Sequence, residues 1–336
     1  MAELPTHTRA IHLVSRPDGW PTGENFRLAE TPLPTLADNQ VLVANHWMSV
    51  DPYMRGRMND TKSYSAPFQI DEPLDGAAVG EVIASTSKAL PAGSTVLHGL
   101  GWREHAVVDS NNAKPVDPSL ATESAYLGAL GMPGLTAYAG LLYAGHFQQG
   151  DTVFVSGAAG AVGSIVGQIA KALGASLVIG SAGSDEKVQR LTELGFDAAF
   201  NYNDAPVVEQ LRKAAPEGID VYFDNVGGEH LEAAISCLNV HGRVAMCGAI
   251  SQYNSTEPSC APRNLSMAIG KLLTIRGFLV GEFSDKADEF AQKMAGWLKD
   301  GSVTFDETIR EGLENAPQAF IDLMRGANTG KMIVKL

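Results

Sequence analysis

The feature that most constrains this chain is one glycine-spaced turn, Ser156-Gly157-Ala158-Ala159-Gly160-Ala161-Val162-Gly163, between a short apolar run and a helical pattern. The run 152–156 (TVFVS) reads as a buried strand. Val162, Ile165, Val166, Ile169, Ala170 and Leu173 then repeat at the spacing of one buried helical face, and Gly174 is placed to stop that helix. The glycines follow G-x-x-G-x-x-G rather than the dinucleotide fingerprint G-x-G-x-x-G, but the physics is shared. Small residues let the backbone approach a pyrophosphate, whose charge is favoured by the free N–H groups of a helix start. Alone, such a turn is also a tight strand–helix connection; the elements after it tip the reading to dinucleotide binding.

Those elements alternate. A strand at 176–179 is followed by a helix that Ser184 can cap, running to Leu194 with Gly195 beyond it. Further strands are expected at 198–200, 220–224, 243–247 and 274–278, with a helix at 285–299. Strands alternating with helices are the mark of βαβ units and a parallel sheet. The first third differs: short β-like runs at 40–50, 77–84 and 95–98 are separated by Pro and Gly, which suggests an antiparallel, barrel-like domain. A final helix at 316–325 and strand at 332–335 are expected to return to it. The expected division is a discontinuous domain of residues 1–125 and 301–336, and a Rossmann-type domain of residues 126–300.

At 336 residues there is room for two domains with a substantial core. The net charge of −13 argues against nucleic acid or an acidic membrane as partner, while leaving room for one local cationic pocket. No apolar run has the length of a membrane span and no signal peptide is evident, so a soluble, cytoplasmic protein is expected. Cys237, Cys247 and Cys260 form no even framework and no C-x-x-C, and read as reduced thiols.

NAD binders usually place an acid at the end of the second strand to accept from the adenine ribose 2′-OH. Here the strand ends Ile179-Gly180-Ser181-Ala182-Gly183-Ser184; Asp185 and Glu186 follow in the first helical turn, where the dipole favours acids anyway. Lys187 is placed to meet a 2′-phosphate, although a lone lysine on a solvated helix face reads the same way.

Several segments, in order and from about residue 10 to the C-terminus, resemble one family. They are VDPYMR at 50–55, GMPGLTAY at 131–138, AAGAVG at 158–163, AGSDEK at 182–187, FNY at 200–202, DNVGG at 224–228, CGAISQYN at 247–254 and GKMIV at 330–334. The chain resembles the zinc-independent medium-chain dehydrogenase/reductases of the leukotriene B4 dehydrogenase, prostaglandin reductase and curcumin reductase group. RGRM at 55–58 with SYS at 63–65 looks closer to the bacterial curcumin-reductase branch. The resemblance implies an α/β fold, a GroES-like β-barrel domain joined to a Rossmann-type doubly wound parallel sheet, and NADPH/NADP+ as cofactor. It implies that Lys187 and Tyr202 contact the adenine-ribose phosphate beside Gly183. Asn225, Cys247, Gly248, Ala249, Ile250, Ser251, Tyr253, Phe278, Leu279, Val280 and Asn328 would line the rest of the cofactor. It also implies a homodimer, to which the 274–280 strand could contribute.

Zinc chemistry needs three Cys, His, Asp or Glu ligands and an open position, and a structural site usually takes four thiolates. Three cysteines cannot supply the latter, and LDGA at 74–77 stands where zinc members carry Gly-His-Glu. His46, His98, His105 and His146 show no paired ligand spacing, so no metal is expected. Tyr53, Tyr64 and Tyr253 are the candidate catalytic aromatics; a tyrosine with a buried ring and a wet hydroxyl also simply packs, and for Tyr64 the two readings balance. Arg55 and Arg57 either anchor an anionic substrate tail or pair with Asp51 or Asp60. Asp224 reads as a turn-fixing residue next to Asn225.

The expected activity is NADPH-dependent reduction of the C=C bond of a small α,β-unsaturated ketone or aldehyde. Hydride goes to the β-carbon, Tyr253 with the nicotinamide ribose hydroxyl stabilises the enolate, Tyr53 orients the carbonyl, and water can protonate the α-carbon. The alternatives are an NADPH:quinone reductase, a secondary-alcohol dehydrogenase and a non-enzymatic NADPH-binding protein.

Overall fold

The computed structural model describes residues 4–258 and 261–336; Cys260 lies outside them. The elements run β1 His7–Leu13, β2 Phe26–Pro32, β3 Gln40–Ser49, α1 Met54–Arg57, β4 Ala78–Ser85, β5 Thr95–His98, β6 His105–Asp109, β7 Lys114–Pro115, α2 Met132–Ala139, β8 Thr152–Val155, α3 Gly163–Ala172, β9 Leu177–Ala182, α4 Asp185–Glu193, β10 Ala198–Asn201, α5 Val207–Ala214, β11 Ile219–Asp224, α6 Gly228–Cys237, β12 Leu238–Met246, α7 Met267–Gly270, β13 Thr274–Gly277, α8 Ala287–Asp300, β14 Glu307–Glu311, α9 Ala316–Met324 and β15 Lys331–Lys335. The chain divides into two compact units. One comprises residues 1–127, 307–328 and 332–336; the other comprises 128–306 and 329–331. No helix among the described residues is long and apolar enough to cross a membrane.

The first unit is built on an antiparallel sheet in the order β14-β15-β3-β4-β5-β7, with β6 pairing β3 and a separate β1–β2 ribbon. The C-terminal strand thus returns beside β3, with Ile333 opposite Ser49. Alternation along β3 sends Val41 and Val43 into a core shared with Val82, Val96, Ala106 and Val108.

The second unit holds a parallel sheet in the order β10-β9-β8-β11-β12-β13. Counted from β8 this is 3-2-1-4-5-6, the doubly wound order whose direction reverses between its first and fourth strands. The strands are apolar on both faces, as a sheet covered on both sides requires. Val153, Val155, Val221 and Phe223 face the core of α3, while Phe154 and Tyr222 stack at 5.0 Å in the core of α5 and α6.

Helix α3 is buried from Gly163 to Ala170, so its glycines are set by contact. A Cβ on Gly167 would lie 2.0 Å from Phe196 Cζ. The stops at Gly174 and Gly195 are the expected left-handed glycines, with φ of +85° and +87°. The sequence patterning did not single out α2 and the π-helical turn Gly140–Ala144 that continues it. Both are buried almost all round, which removes the apolar stripe that periodicity reads.

Replacing Gly167 by Val forces Phe196 out of its site and should cost about 1–3 kcal/mol. Urea denaturation checks this, and an unchanged midpoint would mean that the ring moves aside freely.

Candidate active site

The parallel sheet ends its strands on one side, and the candidate residues of the second unit collect there. After β8, Ser156 is fully buried and Gly157 turns with φ of +57°. The Gly160 amide donates to Gly157 O at 3.1 Å and the Ala158 amide to Ser181 O at 3.0 Å, tying the turn to β9. A Cβ on Gly163 would lie 2.5 Å from Gly157 O and 2.8 Å from Ala158 Cα, both backbone atoms that cannot move aside. The helix therefore starts against the turn at Gly163, and a helix start is the arrangement that favours an anion. From the C-terminal segment, the Gly330 amide donates to Ala159 O at 2.8 Å and fixes the turn from outside.

Next to it, Ser184 caps α4 by accepting from the Lys187 amide at 3.4 Å. Asp185 is held by Asn201 Nδ2 at 2.9 Å and stays in the first helical turn. Lys187 is half-buried, and burial lowers its ammonium pKa. Tyr202 donates its amide to Ala182 O at 3.1 Å, and a Cβ on Gly183 would come within 2.6 Å of the Tyr202 hydroxyl. The structure thus brings Gly183 and Tyr202 into contact, with Lys187 one turn into the helix that follows Gly183.

The centre of the site is a buried polar network. Asp224 Oδ1 accepts from the Tyr222 hydroxyl at 2.7 Å and from the Val226 and Gly227 amides at 3.0 and 2.7 Å. Ser156 Oγ accepts from Tyr222 at 2.9 Å and from the Asn225 amide at 3.1 Å, and Asn225 Nδ2 donates to Ser156 O at 2.8 Å. Burial raises the Asp224 pKa against these hydrogen bonds, which pull it down. The Asp224 carbonyl accepts the amides of Cys247 and Gly248 at 2.9 and 3.0 Å. Ile250 and Ser251 donate their amides to Asn225 O and Val226 O. One turn thus supports the whole 247–253 segment.

Within that segment the Ala249 amide donates to the Tyr253 hydroxyl oxygen at 3.2 Å, and Gly248 packs below the same hydroxyl. Burial raises the Tyr253 pKa, and the Cys247 thiol is pushed up to about 12 for the same reason. Phe278 is buried edge-on to Phe223 at 6.2 Å, whereas Leu279 is exposed and Val280 opens a short 3₁₀ turn. Asn328 is buried ahead of the 329–331 segment.

In the first unit Tyr53 precedes α1, and burial, followed by the nearby Asp51, raises its pKa. Tyr64 sits in a loop with 64 % of its surface exposed.

The chain resembles known proteins along its whole length. Residues 9–116 match the family described as the N-terminal domain of oxidoreductase, and residues 161–299 match the one described as zinc-binding dehydrogenase. The chain is 39 % identical to the NADPH-dependent curcumin reductase of Escherichia coli (strain K12), over 100 % of this chain and 99 % of that one. It is 42 % identical to prostaglandin reductase 1 of Rattus norvegicus, over the full length of both. The crystal structure of CurA in complex with NADPH from Vibrio vulnificus is 43 % identical and superposes with a TM-score of 0.92, over 97 % of this chain and 98 % of that one. The chain is a zinc-independent medium-chain dehydrogenase/reductase.

As a member of this family it is an oxidoreductase, and the name zinc-binding in one matched description does not carry over. Among the described residues no group of three or more His, Cys, Asp or Glu side chains could hold a metal ion. His46 pairs with Glu123 at 2.9 Å, and His98 is buried against Asn45 at 2.8 Å. The two arginines have partners within the first unit. Arg57 forms an ion pair with Asp75, donates Nε to Ala66 O at 2.8 Å and lies over the Phe68 ring at 4.0 Å. Arg55 is buried and donates to Gly19 O at 2.7 Å and Asn59 Oδ1 at 2.8 Å. The acid facing Arg57 is neither Asp51, which accepts from Ser49, nor Asp60, which faces Arg16 at 3.6 Å. Both arginines hold the 51–68 segment together.

Sequence reading missed Ser156, Tyr222 and His230. A serine closing the strand before a glycine turn was the one available signal for Ser156; Tyr222 depends on which strands are neighbours, and His230 on the ring that its helix meets.

Asp224→Ala leaves two buried amides without their acceptor, takes from the Tyr222 hydroxyl one of its two acceptors, and should cost about 3–5 kcal/mol. Tyr222→Phe removes the one hydroxyl proton that Asp224 and Ser156 share and should cost about 1 kcal/mol. Urea unfolding of the two variants would show the difference; equal costs would mean that Asp224 is not the node.

Proposed function

We propose that this oxidoreductase uses NADPH to reduce the C=C bond of α,β-unsaturated ketones and aldehydes. The observation that carries the chemistry is the Tyr253 hydroxyl, whose oxygen accepts from the Ala249 amide and whose proton is thereby left to donate. The names of the curcumin and prostaglandin reductase relatives, and the NADPH in the CurA complex, support the reading.

The residues fit the cofactor. The side-chain-free approach of Gly157 and Gly163 admits a pyrophosphate at the start of α3, and Lys187 with Tyr202 suits a 2′-phosphate. Bound there, NADPH supplies hydride to the β-carbon. Tyr253 donates to the carbonyl oxygen as it gains enolate charge. Because burial raises the Tyr253 pKa, its hydroxyl stays protonated throughout the neutral range and acts as a hydrogen-bond donor; water protonates the α-carbon.

We also propose that two copies associate through β13. It is the edge strand of the parallel sheet, and nearby Ile269 and Leu272 expose 79 % and 58 % of their surface. Light scattering that gave the mass of one chain would refute this.

The activity is tested by following NADPH absorbance with linear enones, aromatic enones and quinones, repeated with NADH. Enones should be turned over, and Tyr253→Phe should lower kcat about 10²-fold, as loss of one oxyanion donor does. Lys187→Ala should raise KM for NADPH and leave that for NADH unchanged. Since the Tyr253 pKa lies above the ordinary value of 10.0, its ionisation should bring no fall in kcat below about pH 10. Turnover of quinones alone, or NADPH binding without turnover, would overturn the proposal.

A further inference from the structure

We propose that His230 is a positioning residue for Tyr202, and through it a determinant of the preference for a 2′-phosphorylated cofactor. The inference rests on the NADPH reading above and extends it to a residue outside the glycine turn and α4.

His230 lies in the first turn of α6 with 5 % of its surface exposed, and its Nε2 has no hydrogen-bond partner. A buried orphan nitrogen is unfavourable, and Leu or Phe would fill the same volume without one. The imidazole instead stands perpendicular to the Tyr202 ring, with centroids 5.2 Å apart and an interplanar angle of 83°. In a perpendicular pair an N–H directed at the aromatic face forms a weak hydrogen bond, and we assign that role to the orphan Nε2 of His230. Tyr202 has two further constraints, its amide on Ala182 O and its hydroxyl above Gly183. The backbone fixes where the tyrosine starts and Gly183 leaves room for its hydroxyl; His230 sets the plane of the ring. Burial pushes the His230 pKa down to about 4, so the imidazole is neutral under assay conditions. It therefore does not attract the phosphate as a charge, and acts through the orientation of Tyr202.

The test measures binding of 2′,5′-ADP and of 5′-AMP by calorimetry to the unmodified protein, His230→Phe, Tyr202→Leu and the double variant. His230→Phe keeps the ring and loses the N–H. It should weaken 2′,5′-ADP about two- to fivefold, the size of a weak hydrogen bond, and leave 5′-AMP unchanged. In the Tyr202→Leu background the same change should cost nothing further. Thermal melting monitors the fold, and if His230→Phe does not fold, His230→Leu takes its place with the same readouts. An equal loss for both ligands, or a full loss without Tyr202, overturns the role of His230. If the unmodified protein does not distinguish the two ligands, the NADPH reading falls with it. If the unmodified protein and His230→Phe distinguish them equally well, the His230 inference falls alone.

Discussion

The close approach of α3 to the turn after β8 is the constraint on which the rest of the cofactor side depends. Gly163 has backbone where a side chain would go, at Gly157 O and Ala158 Cα. The helix can start at that point only because three residues of the turn are glycine and two of the others are alanines buried against the sheet. Once it starts there, its first amides are gathered at the switch point of a 3-2-1-4-5-6 sheet. The Gly330 amide on Ala159 O then matters more than one hydrogen bond would elsewhere, because it limits the freedom of a turn that has almost no side chains to hold it.

Charge works on two scales here. The whole chain carries −13, a field that disfavours a polyanionic ligand at long range. Salt screens exposed charges over about 8 Å at physiological ionic strength, so in the proposed reading capture depends on local donors: the α3 amides and Lys187. Asp224 is buried within the same sheet edge yet does not spoil this. Its Oδ1 is committed to a tyrosine hydroxyl and two amides, while Oδ2 is buried without a partner. With its side chain fixing the 225–227 turn and its carbonyl fixing the 247–248 amides, one residue ties two loops together.

Local features were legible in the sequence. The strand–turn–helix, the Ser184 cap and the glycine stops are each decided by residues within a few positions, and the structure has them at or within a residue of the expected places. Pairings set by topology were not. Tyr222 reaches Ser156 across 66 residues because β8 and β11 are neighbours, and His230 of α6 meets Tyr202, which follows β10, only in the folded chain. Arg57 illustrates the same limit: acids close in sequence, Asp51 and Asp60, were the natural partners, but chain geometry gives it Asp75, 18 residues away. Charge complementarity could be read in advance, and its address could not.

The division of labour proposed for the reaction follows from these environments. A general acid works best with a pKa near the operating pH. Burial moves the Tyr253 hydroxyl the other way, which makes it a poor proton donor in the transfer sense. Hydrogen bonding to a developing oxyanion makes a different demand, since it needs a fixed, protonated donor that reorganises little at the moment of reaction. The Ala249 amide and the Gly248 contact fix the oxygen of Tyr253, and its raised pKa keeps the proton on it. Proton delivery to carbon is then left to solvent, which is consistent with the absence of a carboxylic acid or imidazole from the Tyr253 segment 247–254.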